Sequence, residues 1–452
     1  MGQKRDTFSS KLGFIFAAAG SAVGLGNLWR FPYLAAKYGG GIFILVYLLL
    51  AVSFGFTLMI TEVSLGRKTG LSAAGAFKKL DNRFGFVGAL ACIVPFIITP
   101  YYCVIGGWVI KYMVSFLSGH VGTAAGDDFF TNFIAQPVEP IIWFAIFVLL
   151  TSVVVIIGVQ KGIEKASTIL MPVLIVLIIA ISLYCITRPG AAAGVKYYLF
   201  PDIKHFSATT VLAAMGQLFY SMSLAMGIMI TYGSYMKKDD DLRDSVRKIE
   251  IFDTLIAFLA GLLIVPSVFV FSGGSKDALS KGPSLMFITL PKVFDSMGMG
   301  TFVGILFFVL VLFAAMTSSI ALTESAVSTF EDELGWGRKK STLIMGVIML
   351  ALGTLSSLGY GPLGAVKIIG MQFLDFFDFL TNSVMMPIAA ITICLLVSRV
   401  IGVKAVEEEV MHGEAAFRRK KVFNFMIKYL CPVFAAIILL SSVANAFGLI
   451  SM

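Results

Sequence analysis

The sequence predicts an all-α integral membrane protein with about eleven transmembrane helices. Of its 452 residues, 58% are hydrophobic and only 13% are charged, whereas about 25% are charged in an ordinary soluble domain. The apolar residues form long blocks, several of which reach the roughly 17 to 25 residues that a helix needs to cross a bilayer. Glycine-rich or polar segments interrupt the first and sixth blocks, which predicts two broken helices.

Polar segments divide the chain into spans that can each cross about 30 Å of hydrocarbon at about 1.5 Å per residue. The predicted spans are residues 12–36, 41–65, 86–118, 140–158, 164–187, 207–235, 246–271, 300–332, 341–358, 365–398 and 422–449. The first block lacks a cleavage site of small residues, so it is predicted to be a retained span rather than a signal peptide. The connecting loops are too short to bury a core, which predicts one transmembrane domain over residues 1–452.

Lysine and arginine concentrate in every second loop, which by the positive-inside rule is predicted to be cytoplasmic. These residues are Lys4, Arg5 and Lys11; Arg67, Lys68, Lys78, Lys79 and Arg83; Lys161 and Lys165; Lys237, Lys238, Arg243, Arg247 and Lys248; Arg338, Lys339 and Lys340; and Arg418, Arg419, Lys420 and Lys421. An odd number of spans then places the N-terminus in the cytoplasm and the C-terminus outside. We expect a multi-pass protein of the cell inner (plasma) membrane, in contact with the lipid bilayer. The scattered basic residues do not indicate a nucleic-acid partner, and the sequence leaves the oligomeric state open.

The sequence gives little support for an enzyme. The five cysteines lie mostly in apolar blocks and the three histidines are isolated, so neither a metal site nor a disulfide framework is predicted. Residues 66–69, GRKT, lack the glycine that precedes the lysine of a phosphate-binding loop. No organic cofactor is expected.

Acidic residues inside predicted spans are candidates for function, because a charge in the bilayer costs several kcal/mol. The candidates are Glu62, Asp253, Glu324, Asp375 and Asp378. Glu324 and Asp375 could instead lie at span ends and be solvated. Asp253 could instead face a cytoplasmic vestibule and neutralise Arg243 or Arg247.

The first span carries three glycines, Gly20, Gly24 and Gly26, followed by Asn27 and Arg30. Each glycine weakens a helix by about 1 kcal/mol relative to alanine, so the chain can unwind here. Unwinding frees carbonyl oxygens that a cation can satisfy, and the two half-helix ends suit a zwitterion. Small residues for close helix packing are the alternative, but packing explains neither Asn27 nor Arg30.

The sixth span has a similar weak point at residues 221–227, SMSLAMG, five spans after the first. Interrupted helices at corresponding positions of two inverted halves indicate a binding site near the membrane midplane. The predicted halves are residues 12–187 and 207–398, with 422–449 as an additional helix. In the eighth span, residues 317–319 carry hydroxyls that suit sodium, although such hydroxyls often bond only to carbonyls one turn earlier.

The run GSAVGLGNLWRFP at residues 20–32 resembles the neurotransmitter:sodium symporter family, in its leucine-transporter-like bacterial branch of amino-acid transporters. Tyr101 and Tyr102, the SMSLAMG segment, TSS at 317–319 and FLDFFDF from Phe373 extend the resemblance over essentially the whole chain. Family members normally have twelve spans, and this sequence is similar to the eleven-span type. The resemblance implies a five-plus-five inverted repeat and sodium-coupled import of neutral amino acids, large hydrophobic or aromatic, by alternating access. An ion channel, or a sodium symporter for another small zwitterion or carboxylate, is the alternative.

The resemblance also implies two sodium sites, a substrate pocket and two gates. The first sodium would be held by Ala22, Asn27, Ser221 and Asp253, together with the substrate carboxylate, and the second by Gly20, Val23, Ala314, Thr317 and Ser318. The substrate would contact Ala22, Leu25, Gly26, Ile98, Tyr102, Tyr220, Ser221, Ser223, Met226, Ser318 and Leu322. Arg30 and Asp378 would close the pocket on the outside, and Arg5 and Asp332 on the inside.

Five positions refine this expectation by resemblance. Tyr220 stands where the lid is often phenylalanine, and Phe8 where the inner gate usually has tryptophan. Gly162 and Pro172 have the spacing that the family uses to unwind the fifth span. Asp253 stands where the family often has a neutral asparagine, so transport is expected not to depend on chloride.

Overall fold

The computed structural model describes residues 6–273, 284–412 and 417–449, which are helical apart from loops and two isolated β-bridges. The predicted all-α fold is confirmed. The principal helices, numbered in chain order, are α1 (Lys11–Ala22), α2 (Gly26–Lys37), α3 (Gly41–Thr69), α4 (Asn82–Leu117), α5 (Glu139–Ile157), α6 (Val159–Ile186), α7 (Ala208–Ser221), α8 (Ile228–Ser234), α9 (Leu242–Phe271), α10 (Gly300–Leu334), α11 (Arg338–Leu358), α12 (Phe373–Val400), α13 (Lys404–Met411) and α14 (Lys420–Ala446). Shorter helices occupy Ala73–Leu80, Val121–Ala124, Phe129–Ala135, Ala191–Leu199 and Leu290–Asp295.

Nine helices of the described residues are long and apolar enough to cross a membrane, and α1 with α2 forms a tenth span that bends by 54°. The sixth predicted span, 207–235, is divided between α7, of 14 residues, and α8, of 7 residues. Neither half can cross a bilayer alone. The predicted count of eleven spans therefore stays a prediction, while the two predicted breaks are present.

One predicted boundary is wrong. Residues 365–372, predicted as the start of the tenth span, form turns, and α12 begins only at Phe373. The turn contains a bridge between Ile368 and Met371, with Ile369 at a φ of 52°. The run of apolar residues there misled the sequence prediction, because a tight turn with positive φ cannot be recognised from hydropathy.

The helices pack into two groups around the broken spans. The helices α4, α5, α10 and α11 all contact one another, whereas α3 packs against α8 and α9, and α1 packs against α9. Gly66 permits the close contact of α3 with α8, because a Cβ atom there would lie 1.9 Å from the carbonyl oxygen of Ile230. The two groups place the breaks of both spans at the centre of the molecule.

Candidate substrate and ion site

The first span is interrupted after Ala22, where the chain leaves the helix at Val23 with a ψ of 97°. The side chain of Asn27 stabilises the break, since its Oδ1 accepts a hydrogen bond of 3.1 Å from the Gly24 amide. Across the break, the Oγ of Ser223 donates to the carbonyl oxygen of Ser21 at 3.0 Å. The two interrupted spans are thus joined directly at their unwound segments.

The break in the sixth span contains strained backbone. Ser223 and Ala225 have φ values of 52° and 59°, in the left-handed region that residues with a side chain rarely occupy. Such residues cost about 1 to 3 kcal/mol each and persist where their surroundings impose them. The fully buried Glu62 helps to impose this conformation, because its Oε1 accepts a 2.7 Å hydrogen bond from the Ala225 amide. From the sequence, Glu62 was predicted only as an acid within a span, and its contact with the sixth span was missed.

A first cluster of oxygen atoms surrounds Asp253, which is fully buried. Its Oδ1 accepts hydrogen bonds from Asn27 Nδ2 at 2.8 Å and from Ser221 Oγ at 2.7 Å. Its Oδ2 accepts a bond of 3.1 Å from the hydroxyl of Tyr47. Asp253 therefore joins both broken spans, and it does not face a vestibule or pair with Arg243 or Arg247. Sequence analysis missed Tyr47, which nothing in its apolar surroundings distinguishes.

A second cluster of oxygen atoms surrounds Ser318 on α10. Its Oγ lies 3.2 Å from the carbonyl oxygen of Gly20, 3.1 Å from that of Ser21 and 3.2 Å from that of Val23. A hydroxyl has one hydrogen to donate, so it can satisfy only one of these carbonyls at a time. The Oγ1 of Thr317, next to it, lies 3.1 Å from the carbonyl oxygen of Ala314. Converging carbonyl and hydroxyl oxygens form the kind of ligand set that suits a hard cation.

A small cavity of about 30 Å³ lies between the breaks. All the residues predicted to contact the substrate line it, and they are Ala22, Leu25, Gly26, Ile98, Tyr102, Tyr220, Ser221, Ser223, Met226, Ser318 and Leu322. Ser21, Gly24, Asn27 and Ile228 also line it and were not in that prediction. The hydroxyl of Tyr102 accepts a hydrogen bond of 3.3 Å from the Leu25 amide, so it lies at the first break. The structure brings these residues together; that they bind a substrate stays a prediction.

Tyr220 separates this cavity from a wider outer cavity, because its side chain lines both. Arg30 and Asp378 also line the outer cavity, but no ion pair joins them among the residues described in the structure. The guanidinium carbon of Arg30 instead lies 5.4 Å from the centroid of the Tyr220 ring. Oδ1 of Asp378 accepts hydrogen bonds from Tyr101 and Asn382 at 3.1 Å and 2.6 Å.

On the opposite side of the cavity, the predicted inner gate is described only in part. Arg5 lies outside the described residues, whereas Oδ2 of Asp332 accepts a 2.6 Å hydrogen bond from the Ser72 amide. Phe8 is buried, and its ring lies edge-on to those of Phe14 and Tyr232, each at 5.7 Å between centroids.

A carboxylate holds the start of α1, and sequence analysis missed it. The oxygens of Glu164 on α6 accept hydrogen bonds from the amide and hydroxyl of Ser9 at 2.7 Å, and from those of Ser10 at 3.1 Å and 2.9 Å. Gly13 makes room for this carboxylate, since a Cβ atom there would lie 1.9 Å from it. The segment Val159–Glu164, which contains Gly162, is a π-helical turn, and the helix continues past Pro172. Unwinding of this span stays a prediction.

The remaining acidic candidates have other surroundings. Glu324 is fully buried, but it pairs with Arg338 at 2.5 Å and accepts a hydrogen bond of 2.7 Å from the Tyr235 hydroxyl. It is therefore neither solvated nor part of the central cavity. Asp375 lies exposed in the outer cavity, which agrees with the solvated alternative.

A buried ion cluster ties the helix α13 to the adjoining ends of the spans. Glu409 pairs with Arg67 Nε at 2.8 Å and with Lys238 at 2.8 Å, while Arg67 also donates to the Asp240 carbonyl at 2.7 Å. Burial opposes ionisation of Glu409, but the hydrogen bond from Lys238 and the charge of Arg67 outweigh burial. The pKa of Glu409 therefore lies below its ordinary value of 4.5.

Two interrupted spans that meet at a central cavity, beside two oxygen clusters, are typical of membrane transporters. The comparisons with known proteins agree. The chain is 35% identical to the uncharacterized sodium-dependent transporter YhdH of Bacillus subtilis over 458 residues, 99% of each chain. It is 32% identical to an uncharacterized sodium-dependent transporter of Haemophilus influenzae, over 97% of this chain and 98% of the other. The structure matches that of MhsT in complex with L-phenylalanine with a TM-score of 0.87 and 37% identity, covering 97% of this chain and 100% of MhsT. Residues 5–132 and 134–449 match the Sodium:neurotransmitter symporter family, and the chain belongs to that family.

Proposed function

We propose that this protein is a sodium-coupled symporter that imports neutral amino acids with large hydrophobic or aromatic side chains by alternating access. The observation that carries the proposal is the position of the central cavity. It lies between the two breaks, and Ser221 and Ser318 each belong both to its wall and to one of the oxygen clusters. An ion and a substrate at this place share ligands, so each raises the affinity of the other.

Two sodium ions would be held by this chain's own oxygen atoms. Asn27, Ser221 and Asp253, with the Ala22 carbonyl, would hold the first ion beside the substrate carboxylate. Thr317, Ser318 and the carbonyls of Gly20, Val23 and Ala314 would hold the second. The convergence of three carbonyl oxygens on the single hydroxyl of Ser318 supports this assignment, since a cation satisfies several carbonyls at once.

The side-chain part of the cavity favours apolar substrates. Ile98, Met226, Ile228 and Leu322 line it and are buried. The described residues that line this cavity include no charged side chain. Methionine is flexible and adapts to differently shaped partners. The match to MhsT, whose structure contains L-phenylalanine, supports an aromatic or large aliphatic side chain.

Independence from chloride rests on Asp253. The buried carboxylate of Asp253 would supply, beside the first sodium, the negative charge that an anion would otherwise bring. Opposite charges a few Å apart attract strongly where water does not screen them. Transport therefore needs no chloride ion.

The two helix groups support the proposal of alternating access. The group of α1, α3, α8 and α9, with α2 and α7, would move against the group of α4, α5, α10 and α11. Tyr220 and Arg30 would close the outer side, and Phe8 with the Ser9 and Ser10 contacts to Glu164 would close the inner side, which we place in the cytoplasm with the N-terminus. Opening inward then requires these contacts to break.

Uptake into proteoliposomes tests the proposal. We expect labelled leucine, phenylalanine or tryptophan to accumulate when an inward sodium gradient is imposed, and not when potassium replaces sodium. Unlabelled glutamate or lysine should compete poorly. Counterflow of labelled substrate against an unlabelled internal pool should also occur, which a channel does not produce. Equal uptake in potassium medium would contradict sodium coupling, and stronger competition by glutamate or lysine than by leucine would contradict the proposed substrate class.

A further inference from the structure

A second cavity opens between α3 and α9, on the side of the protein that faces lipid. Its volume is about 340 Å³, and its walls are almost entirely apolar. They are Phe31, Ile44, Tyr47, Leu48, Ala51, Val52, Glu250, Ile251, Thr254, Leu255 and Phe258. Leu48 and Ile251 at its mouth are 40% and 49% exposed, as expected for residues that contact lipid tails. The transport site does not use this cavity, although Tyr47 forms part of its wall.

The one carboxyl group in the wall lacks a partner. Glu250 is 5% exposed, its Oε2 has no hydrogen-bond partner, and no ion pair joins it to any residue that the structure describes. The Oγ1 of Thr254, one helical turn further along α9, is likewise buried without a partner. An unpaired buried polar or charged group is costly, so such groups point to a ligand that satisfies them.

Two guanidinium groups lie at the edge of the cavity. Arg419 donates to the carbonyl oxygen of Val52 at 3.4 Å, and Val52 is part of the wall. Arg247 precedes Glu250 by three residues on α9, so the two share a face of the helix. The cavity thus offers one buried carboxyl group inside and two positive charges near its rim.

We propose that this cavity binds a phospholipid whose headgroup carries a primary ammonium, as in phosphatidylethanolamine. The ammonium would donate to Glu250 and Thr254, the phosphate would lie against Arg419 and Arg247, and the acyl chains would follow the exposed apolar side chains of α3 and α9. A primary ammonium has N–H donors, which a quaternary choline lacks. Guanidinium groups match phosphate oxygens in geometry and charge. A zwitterionic amine lipid satisfies all of these groups at once, whereas an anionic lipid without an amine would place a negative headgroup near Glu250.

The test measures lipid retention and needs no transport. Full-length protein is reconstituted in nanodiscs with equal amounts of phosphatidylethanolamine, phosphatidylcholine and phosphatidylglycerol of the same acyl chains, then extracted in detergent, and its retained lipids are quantified by mass spectrometry. We expect phosphatidylethanolamine to be enriched over both others. Glu250→Gln should lower the ethanolamine-to-choline ratio by roughly tenfold, the size of one hydrogen bond to a charged group.

Two further variants make the result specific. Glu333→Gln changes an exposed carboxylate on α10, outside this cavity, and should keep the ratio of the unmodified protein. Leu48→Trp fills the mouth of the cavity without changing its charge and should lower retention of phosphatidylethanolamine. Equal retention of the ethanolamine and choline lipids by the unmodified protein, or an unchanged ratio in Glu250→Gln, would overturn the proposal.

Discussion

Asn27 on the first span donates a 2.8 Å hydrogen bond to the carboxylate of Asp253 on α9, and the same Asp253 oxygen also accepts from Ser221 on the sixth span. A single buried carboxylate thus links both breaks. The protein places a negative charge where carbonyl, amide and hydroxyl oxygens gather, and this charge can stabilise a cation without any added anion.

Replacing Asp253 with asparagine should weaken sodium binding while the protein stays folded. The substitution keeps the shape but removes the charge, so we expect sodium affinity to fall by roughly tenfold or more. A sodium titration of substrate binding to the purified protein measures this effect. Asp128→Asn, in an exposed loop, is the matched control and should leave the affinity unchanged.

Uptake by the unmodified protein should be the same when gluconate replaces chloride. Strong chloride dependence of that uptake, or normal sodium affinity in Asp253→Asn, would refute the role of this carboxylate.

Two neighbouring serines on α10 have different surroundings, so their alanine variants distinguish a role in ion binding from a role in packing. Ser318 faces three carbonyls of the first span, whereas Ser319 bonds with Thr151 at 3.1 Å and contacts Cys103 within the other helix group. Ser318→Ala should reduce sodium affinity and the Hill coefficient for sodium, because it removes one oxygen ligand. Ser319→Ala should lower only thermal stability, by about 1 kcal/mol. Equal sodium titration curves for the two variants would show that Ser318 does not hold an ion.

Tyr220 should retain the substrate through its ring rather than its hydroxyl. A Cβ atom added at Gly26 would lie 2.6 Å from the Tyr220 ring, so the ring packs closely on the first span. The guanidinium group of Arg30 lies over the same ring. We expect Tyr220→Phe to bind and release substrate like the unmodified protein. Tyr220→Ala joins the central and outer cavities and removes the contact with Arg30, so it should raise the substrate dissociation rate by roughly tenfold. Chase experiments with labelled substrate measure these rates. A large defect in Tyr220→Phe would assign the role to the hydroxyl instead.

The spans and their two breaks could be predicted from the sequence because their signals are local, whereas the residues that line the central cavity were expected from the resemblance to the family. Long apolar blocks indicate spans, and a cluster such as Gly20, Gly24 and Gly26 marks a break within seven residues. The boundary at 365–372 was wrong because turn geometry there depends on the backbone of Ile369 and not on hydropathy.

Contacts between residues distant in sequence carry no such local signal. Glu164 lies 155 residues from Ser9, and Arg67 lies 342 residues from Glu409. Tyr47 lies in an apolar segment that gives no hint of a polar neighbour, and Glu250 follows Arg247 and Lys248 so closely that the sequence suggests a paired carboxylate. These groups acquire their roles only when the helices pack, so they were missed or went unremarked in the sequence.

The buried pair of Arg67 and Glu409 should make stability depend on pH. The side chain of Arg67 is 0% exposed and that of Glu409 is 4% exposed, so each charge is stabilised by the other rather than by water. The pKa of Glu409 is lowered in the folded protein from its ordinary value of 4.5. A lowered folded pKa means that the unfolded chain binds the proton more tightly, so the contribution to stability is complete above about 4.5 and is lost as pH falls through the folded value. We therefore expect the melting temperature to be insensitive to this pair at neutral pH and to fall below pH 4.5.

Glu409→Gln isolates this effect from that of other carboxylates. At neutral pH it leaves the Arg67 charge buried without its partner, which costs about 3 to 5 kcal/mol. At low pH the unmodified protein also loses the charge of Glu409, so the difference in melting temperature between the two proteins should shrink as pH falls from 7 towards 3.5. Glu408→Gln, at the adjacent exposed position of α13, should follow the unmodified protein throughout. Thermal unfolding in detergent across this pH range provides the measurement. A constant difference between Glu409→Gln and the unmodified protein would mean that the Glu409 carboxylate does not become protonated in this range, and that the pair does not confer the pH dependence.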